Sequence, residues 1–255
     1  MPFLTAETID IETLPLRVNI WGEPKSGKTS FALSFPRPLY LFDFDHGFKE
    51  LIAKRPELGE GLYYQEYALP PNPTPQEGEA LLQSFVDDWR EAALAPGSTM
   101  VLDTGTQLRE LVTYVKIAQK LEEKIKKAQA MAAKANKSFD PDMVQIMRPD
   151  YSERNQLMSA ILSIPTLANK NAVYLWKARE KYSGNGQATG QYEGDLSREA
   201  PYIAQGTLAR RRGGIGKNVF FTTTVEDWRD DPTLNGETFP EDVVANYEDL
   251  KGILR

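Results

Sequence analysis

A loop that combines glycines, a lysine and a hydroxyl residue carries the strongest chemical signal in the sequence. Residues 22–29 read GEPKSGKT and match the pattern G-x-x-x-x-G-K-[ST]. Such a loop wraps backbone N–H groups around a phosphate, and the following helix directs the positive end of its dipole at the same anion. The pattern predicts that Lys28 reaches the β- and γ-phosphates of ATP and that Thr29 binds Mg²⁺. The predicted phosphate-binding residues are Gly22, Glu23, Pro24, Lys25, Ser26, Gly27, Lys28, Thr29 and Ser30. The alternative, a chance glycine–lysine turn, is disfavoured by the strand and helix patterns on either side.

An acidic residue at the end of a neighbouring strand would complete a nucleotide–metal site. Residues 99–102 are a short apolar run that predicts a buried strand, and Asp103 and Thr104 follow it directly. Asp103 is therefore the predicted metal-organising carboxylate. The alternative makes Asp103 an N-cap of the helix predicted from residue 107, because aspartate favours such positions.

A second acidic segment follows the strand predicted over residues 39–42. Asp43 and Asp45 alternate along an extended stretch and point to the same side, whereas the aromatic residues next to them point into the packing. A carboxylate beside the γ-phosphate can orient and deprotonate the attacking water. The alternative is an ordinary solvated strand end, and His46 by itself is typical of a hydrogen-bonded turn.

The elements that must position these residues alternate between strands and helices. This order predicts an α/β fold, a parallel or mostly parallel sheet with helices on both faces. Strands are predicted at 16–21, 39–42, 99–102, 172–176 and 219–225, and the long helices at 76–93, 107–137 and 155–167. We expect one core domain over 1–225, with a helical insertion at about 107–150, and an acidic C-terminal tail over 226–255.

The composition excludes several kinds of site. The 255 residues include no cysteine, which rules out disulfides, thiolate zinc sites, iron–sulfur clusters and a cysteine nucleophile. A single histidine rules out a multi-histidine metal site within one chain. No run approaches the roughly 18 apolar residues of a membrane span. Residues 1–10 lack the pattern of a secretory signal. We therefore expect no membrane partner and a cytoplasmic location.

Charge is unevenly distributed along the chain. The net charge is −6, yet residues 104–224 carry 19 basic and 11 acidic side chains. A nucleic-acid partner therefore stays compatible with the composition. The densest basic run, RRRGGIGK at 210–217, begins with Arg210, Arg211 and Arg212. It can contact backbone phosphates, supply an arginine finger to a neighbouring subunit, or be a solvated loop.

The composition of residues 183–194 predicts a mobile glycine-rich loop. Tyr182 and Tyr192 could stack on exposed bases or be ordinary surface tyrosines.

Three segments, in this order, resemble the RecA-like ATPase family: GEPKSGKT at 22–29, LYLFDFDHG at 39–47 and TMVLDTGTQL at 99–108. The resemblance implies a RecA-like P-loop core in which Asp45 is the catalytic base, one methylene shorter than the family's usual glutamate. It also implies that Asp103 and Thr104 end the metal-binding strand.

The resemblance further implies a polar group that senses the γ-phosphate after residues 172–176, followed by a DNA-contacting loop. The family's amide is absent here, and Lys177 or Arg179 could substitute for it or could be solvated cations. The chain looks most like phage-type, core-only RecA-like ATPases of single-strand annealing and recombination. If the chain is phage-encoded, the expected location is the cytoplasm of the host.

We therefore expect an ATPase that binds ATP and Mg²⁺ between the subunits of a homo-oligomer and acts on single-stranded DNA, with a single-strand-binding protein as a further partner. Two alternatives stay open. One is a P-loop kinase that phosphorylates a small molecule, and the other is a non-catalytic module whose assembly depends on nucleotide.

Overall fold

A computed structural model of the chain describes residues 14–97, 99–135, 138–183, 187–215 and 218–254. Parts of the segments discussed above lie outside these residues. They are the N-terminal stretch 1–13, residues 136–137 at the end of the helix predicted over 107–137, residues 184–186 of the glycine-rich segment, residues 216–217 of the basic run, and residue 255.

A nine-stranded sheet forms the centre of the described structure. Its strands are β1 Arg17–Gly22, β2 Leu39–Asp43, β3 Leu62–Glu66, β4 Thr99–Asp103, β5 Asn171–Tyr182, β6 Ala188–Gly194, β7 Gly206–Ile215, β8 Asn218–Trp228 and β9 Thr238–Pro240. The spatial order is β3-β2-β4-β5-β1-β7-β8-β9, and β6 pairs with β5 off this path. Pairing is parallel from β3 through β7 and antiparallel for β5–β6, β7–β8 and β8–β9. The predicted mostly parallel α/β sheet is confirmed.

Helices cover both faces of the sheet. The helices are α1 Lys28–Ala32, α2 Phe48–Lys54, α3 Pro75–Leu94, α4 Gly105–Lys134, α5 Ser152–Leu167, α6 Ala200–Ile203 and α7 Tyr247–Leu254. On one face, α3, α4 and α5 pack around a cluster that includes Phe42 and Trp89. On the other face, α1, α2 and α7 pack around Leu41 and Phe31. Neighbouring strand residues such as Leu41 and Phe42 enter opposite clusters, because side chains alternate across a strand.

Local sequence accounts for the ends of α3. Thr74 accepts a hydrogen bond from the Glu77 backbone N–H, and the Glu77 side chain accepts one from the Thr74 backbone N–H, which completes a capping box. Proline at position 75 suits the first helical turn, where its missing N–H is not needed. The helix ends at Leu94, just before the Pro96–Gly97 pair.

The long helix α4 has two unlike halves. Its buried residues lie between Gly105 and Val115, and no residue from 116 to 134 is buried. There Lys124 forms an ion pair of 2.5 Å with Asp150, and Lys120 forms one of 2.9 Å with Glu153. The predicted helical insertion is thus an extended helix packed on the chain that returns from it.

The segment 226–255, predicted as an acidic C-terminal tail, contains regular secondary structure. This segment completes β8, forms β9 and α7, and contributes Val244, Tyr247, Leu250 and Leu254 to the core. These four apolar residues recur every three or four positions, which is the spacing of a buried helical face. The nine acidic residues of 226–255 dominate its composition, and none of them is buried.

Two further segments differ from expectation. Residues 188–194 of the predicted glycine-rich loop form β6, paired antiparallel with β5. Arg210, Arg211 and Arg212 lie on strand β7 rather than in a loop. In the part of the chain that the structure describes, no helix is long and apolar enough to cross a membrane.

We predict that Leu250→Ala lowers the free energy of unfolding by about 2–5 kcal/mol, because Leu250 is 1% exposed and leaves a cavity. The matched control is Val243→Ala in the same segment, where the side chain is 45% exposed and a change below about 0.5 kcal/mol is expected. Urea unfolding followed by circular dichroism measures both. Equal, small effects would show that the segment is not part of the core.

Candidate functional site

A cavity of about 520 Å³ opens at the edge where β1, β2, β4 and β5 end. The carboxyl ends of parallel strands meet at one edge, so loops far apart in sequence come together there. The cavity is lined by Gly22, Pro24, Lys25, Ser26, Gly27, Lys28, Thr29, Ser30, Asp45, Gly47, Leu51, Asp103, Thr104, Lys177 and Ala178. Of the nine predicted phosphate-binding residues, all but Glu23 line this cavity; Glu23 lines a second cavity, described below, to which Gly22 also contributes.

The loop between β1 and α1 has the backbone geometry of an anion cradle. Lys25 and Gly27 have positive φ angles of 64° and 78°, and Gly27 is the N-cap residue of α1. Successive N–H groups in such turns point into a concavity that suits an anion. A Cβ on Gly22 would lie 2.2 Å from the carbonyl oxygen of Arg210, so only glycine fits there.

Lys28 folds back across the mouth of this loop. Its Nζ donates to the carbonyl oxygens of Gly22 at 2.8 Å and Glu23 at 3.0 Å. Burial lowers the pKa of Lys28, and the carboxylates of Asp103 and Asp45 act in the opposite direction. Its ammonium is therefore held by weak neutral acceptors in a site where phosphate oxygens would be stronger partners.

Thr29 and Asp103 are directly paired. The Thr29 Oγ1 donates to Asp103 Oδ2 at 2.7 Å, and Asp103 is 6% exposed. Burial raises the pKa of Asp103 to about 6, the Thr29 hydrogen bond lowers it, and the nearby Asp43 and Asp45 raise it further. A buried carboxylate of this kind is stabilised by a cation. The N-cap of α4 is Thr104, whose Oγ1 accepts from the Gln107 backbone N–H, so Asp103 is not the cap.

The donor set fits Mg²⁺ when phosphates are bound. Among the described residues, no three His, Cys, Asp or Glu side chains form a metal-binding group. Mg²⁺ commonly uses one or two protein oxygens together with substrate phosphates and water. Thr29 and Asp103 are two such oxygens, placed beside the loop that would hold the phosphates.

Asp43 builds the turn after β2. Its Oδ1 accepts hydrogen bonds from the backbone N–H groups of Asp45 at 2.9 Å and His46 at 2.8 Å, and its Oδ2 accepts one from Phe48 at 3.3 Å. Asp43 is 1% exposed. Burial raises the pKa of Asp43, and these three donors oppose that rise. Its carboxylate therefore holds the backbone, and the neighbouring Asp45 is presented to the cavity.

Asp45 is held by two donors from other elements. Lys177 Nζ lies 2.9 Å from Asp45 Oδ1, and Gln107 Nε2 donates to the same oxygen at 3.2 Å. Gln107 in turn accepts a hydrogen bond of 2.6 Å from the Thr104 hydroxyl. Burial alone would raise the pKa of Asp45, but the Lys177 ammonium and the Gln107 amide outweigh it and hold the pKa below its ordinary value.

Gln107 was missed as a site residue in the sequence, where it counted only as the start of a helix. Its position in the sequence was the available signal. Gln107 lies in the first turn of the helix that follows the buried strand β4, Asp103 and the N-cap residue Thr104. An amide one turn into a helix at the sheet edge lies within reach of the neighbouring strand end.

The structure separates Lys177 from Arg179. Lys177 lines the cavity beside Asp45, whereas Arg179 pairs with Glu193 at 2.8 Å and lies 3.4 Å from Asp195. Glu193 is the residue opposite Arg179 in the β5–β6 hairpin. Lys177 is thus the cation from β5 placed at the candidate site, and Arg179 belongs to the hairpin.

The three arginines of β7 occupy different environments. Arg210 is 3% exposed and lies between the rings of Phe31 and Phe221, which corrects the expectation that it is presented to DNA or to a neighbouring subunit. Arg211 and Arg212 are exposed. They line a second cavity of about 470 Å³ with Trp21, Gly22, Glu23, Lys181, Gly190, Gln191, Tyr192, Arg210 and Glu226.

The chain matches the model of a known family. The model of the AAA domain family matches residues 14–198, more than half of the chain. The matched stretch contains the loop 22–29, Asp45, Asp103 and Lys177, and it ends before β7. A comparison with curated proteins finds no match to the chain.

We predict that Asp43→Ala lowers the free energy of unfolding by roughly 2 kcal/mol or more, because three backbone N–H groups lose their acceptor. The matched variant Asp45→Ala should change it by less than about 1 kcal/mol, because its ion pair is half-exposed. Chemical denaturation of both variants is the measurement. A larger loss in Asp45→Ala than in Asp43→Ala would contradict this division of roles.

Proposed function

This chain belongs to the AAA domain family of P-loop ATPase-like proteins, and we propose that it binds ATP with Mg²⁺ and hydrolyses it. The observation that carries the proposal is the meeting of Lys28, the Thr29–Asp103 pair and Asp45 in one cavity. Each of these groups matches one requirement of phosphoryl transfer: phosphate binding, metal binding and activation of water.

Binding would exchange one set of contacts for another around Lys28. Its two bonds to backbone carbonyls are replaced by bonds to phosphate oxygens, which are charged and therefore stronger acceptors. Thr29 and Asp103 would hold the metal, which neutralises charge on the phosphates when bound. Burial raises the pKa of Asp103 to about 6, and a cation held beside this carboxylate would stabilise its ionised form.

Asp45 is the proposed acceptor of the proton from water. Its lowered pKa keeps the carboxylate ionised at neutral pH, and Gln107 orients it. Lys177 is the proposed sensor of the γ-phosphate: an ammonium that now pairs with Asp45 would turn toward the phosphate when one is bound. That exchange would free the Asp45 oxygen for water.

The lowered pKa of Asp45 also supports a second candidate function. In this alternative the chain is a module that assembles when it binds nucleotide and hydrolyses that nucleotide only slowly. A carboxylate with two donors and a lowered pKa is a weak base. The two candidates differ in turnover and agree in nucleotide binding.

We further propose that the chain is a RecA-like protein of the phage type that acts on single-stranded DNA as a homo-oligomer, with nucleotide between subunits and a single-strand-binding protein as partner. The support for DNA contact lies in the second cavity. Arg211 and Arg212 are exposed there, together with Lys181 and with Tyr192, which is 46% exposed. Guanidinium groups match phosphate oxygens, and an exposed tyrosine can stack on a base.

We predict that Lys28→Ala abolishes ATP hydrolysis and weakens ATP binding, whereas Asp45→Asn cuts hydrolysis by ~10²-fold or more and spares binding. Phosphate release and isothermal titration calorimetry with ATP and Mg²⁺ measure the two properties. The matched controls are Lys54→Ala and Asp87→Asn, whose side chains are 76% and 60% exposed away from the site. Normal turnover in Lys28→Ala would contradict the proposed function. Tight ATP binding without turnover in the unaltered protein would favour the assembly module.

We predict that the double variant Arg211→Ala/Arg212→Ala binds single-stranded DNA more weakly than the unaltered protein. The magnitude of the slope of log affinity against log salt should fall by about 1–2, because fewer phosphate contacts mean that fewer counterions are released from the DNA on binding. Fluorescence anisotropy with a labelled oligonucleotide across a salt series measures this. The charge-matched control is Arg55→Ala/Arg90→Ala, two residues with exposed side chains on other elements. An unchanged slope in the Arg211/Arg212 variant would place DNA contact elsewhere.

A further inference from the structure

Arg210 is a buried cation held by aromatic rings. Its guanidinium carbon lies 4.7 Å from the ring centre of Phe31 and 5.4 Å from that of Phe221, and its NH1 donates to Thr223 Oγ1 at 3.0 Å. Phe31 comes from α1, whereas the other two residues come from β8. The side chain thus fills the space between the helix of the phosphate-binding loop and the sheet.

The charge of Arg210 has no close counter-ion within the described chain. No ion pair joins it to a carboxylate among the described residues, and its Nε is buried without a hydrogen-bond partner. The acid that acts on it electrostatically is Glu241, whose carboxylate accepts from the backbone N–H of Phe221 at 3.3 Å. Arginine stays protonated in proteins, so a full positive charge is buried here.

This charge stands directly behind the phosphate-binding loop. A Cβ on Gly27 would lie 3.4 Å from Arg210 Nε, and the Arg210 carbonyl oxygen limits Gly22 from the same side. Ser26 Oγ, within the loop, is also buried without a partner. Arg210 therefore forms the inner wall of the loop, and the cavity lies on the outer side.

We propose that Arg210 is a second, interior cation of the phosphate site, whose counter-ion is the phosphate group bound on the other side of the loop. The inference rests on the proposed function, because it requires that the loop binds a nucleotide. Arg210 does not touch the phosphates; it acts through the loop, as a positioning residue and as a fixed charge. Two opposite charges separated by a thin, poorly hydrated layer attract far more strongly than in water.

An apolar side chain of similar length would fill the same space at lower cost when the site is empty. Burial of an arginine without a counter-ion is unfavourable, and the aromatic contacts compensate for only part of that. Methionine keeps the contacts with the two rings and removes the charge. The proposal therefore separates two properties: the stability of the empty protein, which methionine should preserve, and phosphate affinity, which it should reduce.

The experiment compares the unaltered protein with Arg210→Met, Arg210→Lys and the control Arg90→Met, whose side chain is 62% exposed on α3. Calorimetry gives the dissociation constants of ADP, AMP and pyrophosphate with Mg²⁺, and thermal unfolding gives Tm with and without ADP. For Arg210→Met we expect an unchanged or higher Tm without ligand, a dissociation constant for ADP raised about tenfold, and a smaller loss for AMP, which carries less charge. Arg210→Lys keeps the charge and should bind ADP within about threefold of the unaltered protein.

The outcomes are distinct. If the unaltered protein binds none of the three ligands, the proposed function fails. If it binds ADP and Arg210→Met binds equally tightly, the interior-cation proposal alone is overturned. If Arg210→Met does not fold, Arg210→Lys decides: near-normal ADP affinity supports a role of the charge, and a tenfold loss overturns it. Equal losses for ADP and AMP would show a purely structural role and would also overturn it.

Discussion

Charge balance at one edge of a parallel sheet is the constraint on which the whole site depends. The carboxylate of Asp45, after β2, adds to the rise in the pKa of Asp103 from β4, and both carboxylates act on Lys28. Buried like charges are tolerated only when cations and hydrogen-bond donors compensate for them. The Thr29 hydroxyl, the Lys177 ammonium and the backbone N–H groups after β2 provide that compensation. Each comes from a different element, so the site exists only in the complete fold.

Similar side chains are given different roles by their surroundings. Asp43 and Asp45 are two residues apart, yet one is saturated by backbone donors and the other faces solvent and Lys177. Lys177 and Arg179 are also two apart, and the β5–β6 hairpin takes only the second away from the cavity. Arg210 and Arg211 are adjacent on β7 and face opposite sides of the sheet, so one is buried under α1 and the other is exposed. Residue type alone could not assign these roles.

The sequence predicted the fold class, the position of the phosphate-binding loop and the ends of β2 and β4, because each follows from local spacing. A strand before the motif and a helix after it suffice to place Lys28 and Thr29 at the sheet edge. What could not be predicted depends on contacts between distant segments. The strand β7 is rich in arginine and glycine, and its burial of Arg210 requires rings from α1 and β8. The helix α7 was not predicted, because the acidic composition of 226–255 indicated a tail, although the spacing of its apolar residues is that of a buried helical face.

The contact between α7 and the start of the fold has a consequence for the order of events during synthesis. The Tyr247 backbone N–H donates to the hydroxyl of Ser34, just after α1, and its ring lies 4.8 Å from that of Phe35. More than two hundred further residues must therefore be translated before α7 can pack against the chain that follows α1. Until then this side of α1 is uncovered, and a nascent chain would expose the aromatic side chains there to solvent. Completion of the packing around α1 is in this sense a late event, although the loop that precedes α1 is synthesised early.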